Sequence, residues 1–425
     1  MRVRILMVAA AALLACAVPL LARNWPQWRG PNRDDVSDET GLLQSWPKDG
    51  PKLLWTFSDA GIGYSGPAVV GDHLYTMGGD NKKSFVYCLD LGTQEKTWST
   101  EVGPFFPHGN GDGPRGTPTV DGDLVFALGG HGDLVCVEKD TGKKRWHVNL
   151  KTDLGGQMAS GWGYSESVLV DGDKVICTPG GNKGTLAALN KDTGSVLWRS
   201  KELKDPAVYS SVIVADVDGV RQYIQLTGRG MAGVAADDGR LLWHSDQNAH
   251  GITVSTPIYH DHRVYASTSY GVGCGLVKLT KDGDKFEAEK VYDAKARRAM
   301  FNHHGGVVRV GAYVYGYSDG PGWTCQEFET GKVMWQSNKL GKGSVTYADG
   351  RLYCYTESGG TVAVVEATPD GWKEGGRFTL PKQSKLNRHR MHWTHPVVAN
   401  GRLFLRDQEY LFCYDVKAHT TAGAR

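Results

Sequence analysis

The residues best equipped for chemistry fall in short segments spread along the chain. Lys295-Ala-Arg-Arg-Ala-Met-Phe-Asn-His303-His304 and Lys382-Gln-Ser-Lys-Leu-Asn-Arg388-His-Arg390-Met-His392-Trp393-Thr-His395 each mix histidines with cations and contain no acid. Other segments supply Tyr64, Arg115, Tyr164 with Glu166, Tyr209 and Lys342, and the glycine-rich Gly109-Asn-Gly-Asp112-Gly113 offers a second carboxylate. Imidazoles and carboxylates suit proton transfer, with Glu166 and Asp112 as the candidate catalytic acids and bases. Cations beside aromatic rings suit an acidic or ring-shaped ligand. No metal site is expected from His303, His304, His392 and His395. Adjacent residues of an extended chain point to opposite faces, and so do residues three apart.

A repeated unit must position these segments. Glu138-Lys-Asp-Thr-Gly-Lys-Lys-Arg-Trp146 reads as a strand end, a tight turn and a strand closing on tryptophan. It returns as Asn190-Lys-Asp-Thr-Gly-Ser-Val-Leu-Trp198, Ala236–Trp243 and Glu327–Trp335, with a looser copy at Asp90–Trp98. The period is roughly 43–52 residues, the range of solenoids and propellers. Asp and Thr side chains can bond the turn backbone, and glycine accepts positive φ.

Each repeat reads as four strands. The first strands begin near Pro67, Pro118, Ser167, Ser211, Pro257, Gly306, Ser344 and Pro396. The last repeat stops after Phe412-Cys-Tyr-Asp415 without a fourth strand, and Lys52-Leu-Leu-Trp55-Thr-Phe57 is an orphan strand that can supply it. The expected fold is all-β: about eight four-stranded antiparallel blades in one propeller, closed by the N-terminal strand. The fourth-strand aromatics are expected as wedges between blades, each contributing on the order of 4–6 kcal/mol before entropy.

The chain has 425 residues, a net charge of +2 and no long amphipathic helical pattern after the first segment. That charge gives no footing for nucleic acid, and none is expected as a partner. Residues 1–22 read as an export signal: Arg2 and Arg4, an apolar run to Leu21, and Ala22 as the cleavage position. The mature chain is therefore expected to be periplasmic or secreted, monomeric and without a transmembrane helix. Leu13-Leu-Ala-Cys16 is close to a lipoprotein box, which makes lipid anchoring through Cys16 the lesser alternative. Residues 23–53, rich in Pro and Gly, are expected to run extended along the outside of the body, with the propeller over 54–417 and a disordered tail over 418–425. Cys88, Cys136 and Cys413 occupy equivalent small apolar positions, so few or no disulfides are expected despite export.

In a propeller the first strand of each blade lines the axis. The residues just before each first strand then converge on one mouth. Tyr64, Arg115, Tyr164 with Glu166, Tyr209, His303, His304, Lys342, His392, Trp393 and His395 are such residues. The two basic loops, with Arg388 and Arg390, are expected to make that mouth positive.

The Asp-Thr-Gly hairpins ending in tryptophan at Asp140–Trp146 and Asp192–Trp198, and the near form Glu329–Trp335, resemble the pyrroloquinoline-quinone (PQQ)-type propeller repeat. The likeness runs from about Trp55 to Asp415. Asn24-Trp-Pro-Gln-Trp-Arg-Gly-Pro31 and Leu405–Asp415 are similar to a group of secreted bacterial PQQ-like propellers. The resemblance implies either quinone-dependent alcohol or sugar dehydrogenases, or cofactor-free scaffolds such as the outer-membrane barrel-assembly lipoprotein. A dehydrogenase would use a carboxylate base, cations on the quinone and calcium bridging its oxygens. The adjacent cysteines common in those enzymes do not occur here. The leading expectation is a propeller that binds an acidic or carbohydrate-like ligand at its mouth. The alternatives are a PQQ- and calcium-dependent dehydrogenase, if it is an enzyme at all, and a non-enzymatic envelope scaffold with a protein partner.

Overall fold

Every regular element among the described residues of the computed structural model is a strand; these residues are 24–109, 111–293, 299–386 and 390–419. The strands form eight sheets, each with a four-stranded antiparallel core in which successive strands are neighbours. The innermost strands are Ala68–Val70, Thr119–Asp121, Leu169–Asp171, Ile213–Val217, Ile258–His260, Val307–Val310, Gly343–Ala348 and Val397–Ala399. They define blades 1 to 8 and fall where the repeat placed them. In blade 8 the outer strand is Lys52–Phe57, paired antiparallel with Tyr410–Asp415. The ring is therefore closed by the N-terminal strand.

The core is a set of layers between blades. Each apolar cluster draws on two neighbours, as Met77, Val86 and Val102 of blade 1 meet Val125, Val135 and Val137 of blade 2. The repeat motif explains how adjacent blades dock. Trp98 donates its indole N–H to the Lys139 carbonyl of the next blade at 2.8 Å, and Trp146 does the same to Lys191 at 2.8 Å. Gly142, at φ 69°, lies flat on the Trp98 ring, where a Cβ would stand 2.6 Å from it. Glycine thus serves both the turn and the indole of the previous blade. Cys88, Cys136, Cys177, Cys274, Cys325, Cys354 and Cys413 are free and buried in these layers. Burial pushes the thiols of Cys136, Cys325 and Cys413 up to about 12, which leaves them unreactive.

Only the later part of the N-terminal segment runs along the outside, where the Leu43 N–H donates to the Val416 carbonyl at 2.8 Å and the Trp46 N–H to the Gly375 carbonyl, in the outer strand of blade 7, at 2.9 Å. The earlier part enters the axial channel. Trp25 exchanges backbone hydrogen bonds with Val69 of blade 1 at 2.7 and 2.8 Å, and Val120 of blade 2 donates to the Pro26 carbonyl at 2.8 Å. Arg33 donates to the Ser167 carbonyl at 2.6 Å, and Arg29 to the Val307 carbonyl at 2.6 Å. Val36–Ser37 then adds a short parallel strand to the inner edge of blade 7, with Val36 opposite Tyr347. Trp25, Arg29, Arg33 and Asp35 are buried. The physical reason is backbone supply: inner strands leave an open edge toward the axis, and this segment satisfies part of it. At the other end, Ala418 still donates to the Gly41 carbonyl at 2.8 Å, and His419 pairs with Asp415 at 2.7 Å. The chain is thus placed against the body to His419. The leader expected over 1–22 and the rest of the tail lie outside the described residues.

Candidate functional site

A pocket opens at the mouth formed by the loops that precede the inner strands. It encloses about 880 Å³ of non-protein space, part of it open to solvent. Its floor is Trp28 of the plugging segment, whose ring packs 4.5 Å from His395 and whose N–H donates to Thr256 at 3.1 Å. Its walls bring together Tyr64, Arg115, Tyr209, His303, His304 and Trp393 from among the sequence candidates, joined by Trp162, Tyr270, Ile252 and Val254. Tyr64 packs on Trp393 at 4.7 Å, Trp393 on His304 at 5.5 Å and His304 on His303 at 4.9 Å, so one wall is a continuous run of rings.

Strand alternation decides which residues look inward. Ser165 and Ser167 line the pocket, so Glu166 between them points away. Its carboxylate is buried in the body, accepting from the Thr178 backbone N–H and hydroxyl at 2.8 Å each. Burial pushes its carboxyl up to about 7, against the opposing Thr178 bonds and the Arg33 charge. Tyr164 shares that side and donates to the Pro179 carbonyl at 3.0 Å. His392 is also turned inward to the body, 3.4 Å from Asp407. His395 lies below the floor, 3.0 Å from Asp35, which in turn pairs with Arg29 at 3.2 Å. Asp112 closes its own loop by accepting from the His108 N–H at 2.8 Å. Glu166, Asp112, Tyr164, His392 and His395 are therefore outside the lining, and the two candidate catalytic carboxylates are not brought together at it.

Among the described residues the mouth is less positive than the two basic loops suggest. Lys342 pairs with Asp319 at 2.8 Å and lies 3.9 Å from Glu357, whose carboxylate is 2.7 Å from His304 Nε2. Both acids come from turns between second and third strands, which open on the same mouth. Burial lowers both His303, to about 4, and His304, so both rings are neutral near pH 7. Arg115 is the charged group of the lining among the described residues. It donates to the carbonyls of Trp162 and Gly111, the latter at 2.5 Å, and lies over the Phe106 ring at 5.3 Å. Arg390 is exposed, and Lys382 is drawn over Tyr410 at 4.1 Å. Lys295, Arg297, Arg298 and Arg388 lie outside the described residues.

A calcium-held quinone needs oxygen donors with vacant lone pairs at the pocket. Glu166 faces away, while Asp319 and Glu357 are committed to Lys342 and His304. Among the described residues no group of three or more His, Cys, Asp or Glu side chains is arranged to hold a metal ion. The described residues of the pocket do not fit that cofactor.

The fold and site define an eight-bladed propeller with a plugged channel and an aromatic pocket at one mouth. In fold and repeat the chain is similar to the PQQ-like β-propellers. The family model described as outer membrane protein assembly factor BamB matches residues 82–285. A protein of Shewanella oneidensis named outer membrane protein assembly factor BamB is 24% identical over 260 residues, which are 57% of this chain and 60% of that protein. The chain thus spans about 60% of the curated relative it matches. The crystal structure of BamB from Moraxella catarrhalis superposes with a TM-score of 0.56 at 16% identity, covering 86% of this chain and 99% of that one. Quinohemoprotein alcohol dehydrogenase from Comamonas testosteroni gives a TM-score of 0.63 at 12% identity, covering 95% and 82%. At these identities the structural likeness is one of fold.

Proposed function

We propose that this chain is an exported envelope propeller whose mouth binds a carbohydrate-like ring, one that carries at most one acidic group. The observation that carries the reading is the aromatic pocket at the mouth: Trp28 beneath, Tyr64 with Trp393 on one wall and Trp162 with Arg115 on another. Flat rings offer stacking faces to the C–H surface of a sugar, and a few polar groups then fix its orientation. One lining cation favours a single carboxylate over a polyanion. Calorimetric titration with D-glucose, N-acetyl-D-glucosamine, D-glucuronate and PQQ with calcium tests it. Saturable binding of a sugar and none of the quinone is the expected result. Calcium-dependent quinone binding alone would replace the reading with a dehydrogenase.

A second reading, an envelope scaffold for a protein partner, draws on the relatives named BamB and on Leu386. That side chain is 47% exposed on the loop between blades 7 and 8. A photo-crosslinker at position 386 should capture an envelope protein that one at Val196, on an outer strand, does not. Equal capture at both positions would remove this alternative.

A further inference from the structure

Tyr270 occupies a position that tyrosine rarely takes. It sits with Gly271 at the tip of the turn between the second and third strands of blade 5, where the Val272 N–H donates to the Ser269 carbonyl at 3.1 Å. Tyr270 has φ 57° and Gly271 has φ 78°. Asn or Asp before Gly is the usual occupant of such a turn, and a bulky aromatic in the left-handed region is strained. The strain holds an aromatic ring over the pocket. That ring stacks on His250 and meets His303 edge-on, each at 5.0 Å.

Its hydroxyl has a defined partner. Tyr270 Oη is 2.7 Å from His303 Nε2, and His303 Nδ1 is 3.0 Å from Lys342 Nζ. Lys342 is fixed by Asp319, which also accepts from Ser269 of the same turn. An ammonium has donors and no acceptor, so His303 Nδ1 must accept. The neutral ring then carries its single proton on Nε2 and donates it to Tyr270. The phenol oxygen is thereby used as an acceptor, and its own proton is left for the pocket.

We infer that Tyr270 is the residue that reads the ligand, donating its hydroxyl proton to an acceptor oxygen, hydroxyl or carboxylate, of the bound sugar ring. This rests on the ring-ligand reading of the pocket and adds the direction of one hydrogen bond. The Lys342–His303 pair acts as a positioning device that fixes that direction.

Two measurements test it. The first needs no ligand: ¹⁵N–¹H spectra of histidine-labelled protein, with His303→Gln to assign the signal, should show the Nε2–H tautomer of His303 near pH 7. The Nδ1–H tautomer or an imidazolium would overturn the inference. The second is titration of wild type and Tyr270→Phe with D-glucose, N-acetyl-D-glucosamine and D-glucuronate. The variant should keep the wild-type melting temperature and bind the recognised sugar at least tenfold more weakly. Unchanged affinity overturns the role of Tyr270 while leaving the pocket's reading intact. A wild-type protein that binds none of the three overturns both.

Discussion

The Trp28 ring packs 4.5 Å from that of His395, so the segment that enters the channel is also the floor of the pocket. Removing the indole should therefore affect stability and binding together. Trp28→Ala is expected to cost about 3–5 kcal/mol in urea unfolding and to abolish sugar binding. Trp28→Phe should recover most of both. Retained affinity in the alanine variant would mean that the floor does not touch the ligand.

Beneath that floor, Asp35 serves Arg29 and His395 at once, at 3.2 and 3.0 Å, with all three buried. Taking one partner from a buried charge group leaves the others uncompensated. Asp35→Ala should lower stability by roughly 3–5 kcal/mol, measured by urea unfolding, and Asp35→Asn by less. A neutral outcome would show that the plug is held by its backbone bonds alone.

Arg406 secures the seam where the ring closes. Fully buried in blade 8, it donates to the Ser65 and Met77 carbonyls of blade 1 at 2.7 and 2.6 Å, and to those of Ala60 and Gly61 at 3.1 Å. Arg406→Met should destabilise by about 3 kcal/mol or more, because several buried acceptors lose their donor. Limited proteolysis should then cut first near residues 58–66. Cleavage spread evenly over the blades would show that the seam is no weaker than the rest.

Burial holds the Glu166 carboxyl near pH 7 when folded, against 4.5 for the free group. The folded chain keeps a proton that the unfolded chain releases over that interval. Its contribution to stability is complete below about 4.5, is lost as pH rises to about 7, and is level above. Glu166→Gln has the same shape without the charge: its amide oxygen can still accept from the Thr178 N–H, while its NH2 must donate to the Thr178 hydroxyl oxygen, reversing that bond. It should be more stable than wild type by on the order of 2–3 kcal/mol above neutrality and equal to it in acid. Urea midpoints across this range decide it; identical pH slopes would place the titration elsewhere.

The two exposed or bonded arginines at the mouth should differ. Arg115→Met removes the donors that tie Gly111 to Trp162 and takes away the lining charge. It should lower sugar affinity at least tenfold and flatten the salt dependence of D-glucuronate binding. Arg390→Ala should change affinity less than about twofold, as calorimetry at low salt would show.

The blades were legible because their punctuation is chemical. Asp121-Gly122 and Asp-Thr-Gly turns fix where strands reverse, and the tryptophans mark the fourth strands. The N-terminal segment was not, because proline and glycine argue against a helix without telling inside from outside. At the mouth, loops before first strands yielded Tyr64, Arg115, Tyr209, His303, His304 and Trp393. Tyr270, Asp319 and Glu357 escaped because antiparallel blades send a second set of turns to the same mouth. Two-residue alternation was the available signal for Glu166: with Ser165 and Ser167 facing the axis, it had to face away.

The plug also sets a direction of pull. Asn24 begins it on the face opposite the pocket, where its side-chain oxygen accepts from the Gly71 N–H at 2.9 Å. Any anchor fastened upstream would leash the propeller by that underside and turn the mouth outward. Tension on such a leash would meet the Trp25–Val69 and Pro26–Val120 backbone bonds before Trp28, so those bonds shield the pocket floor from a mechanical load.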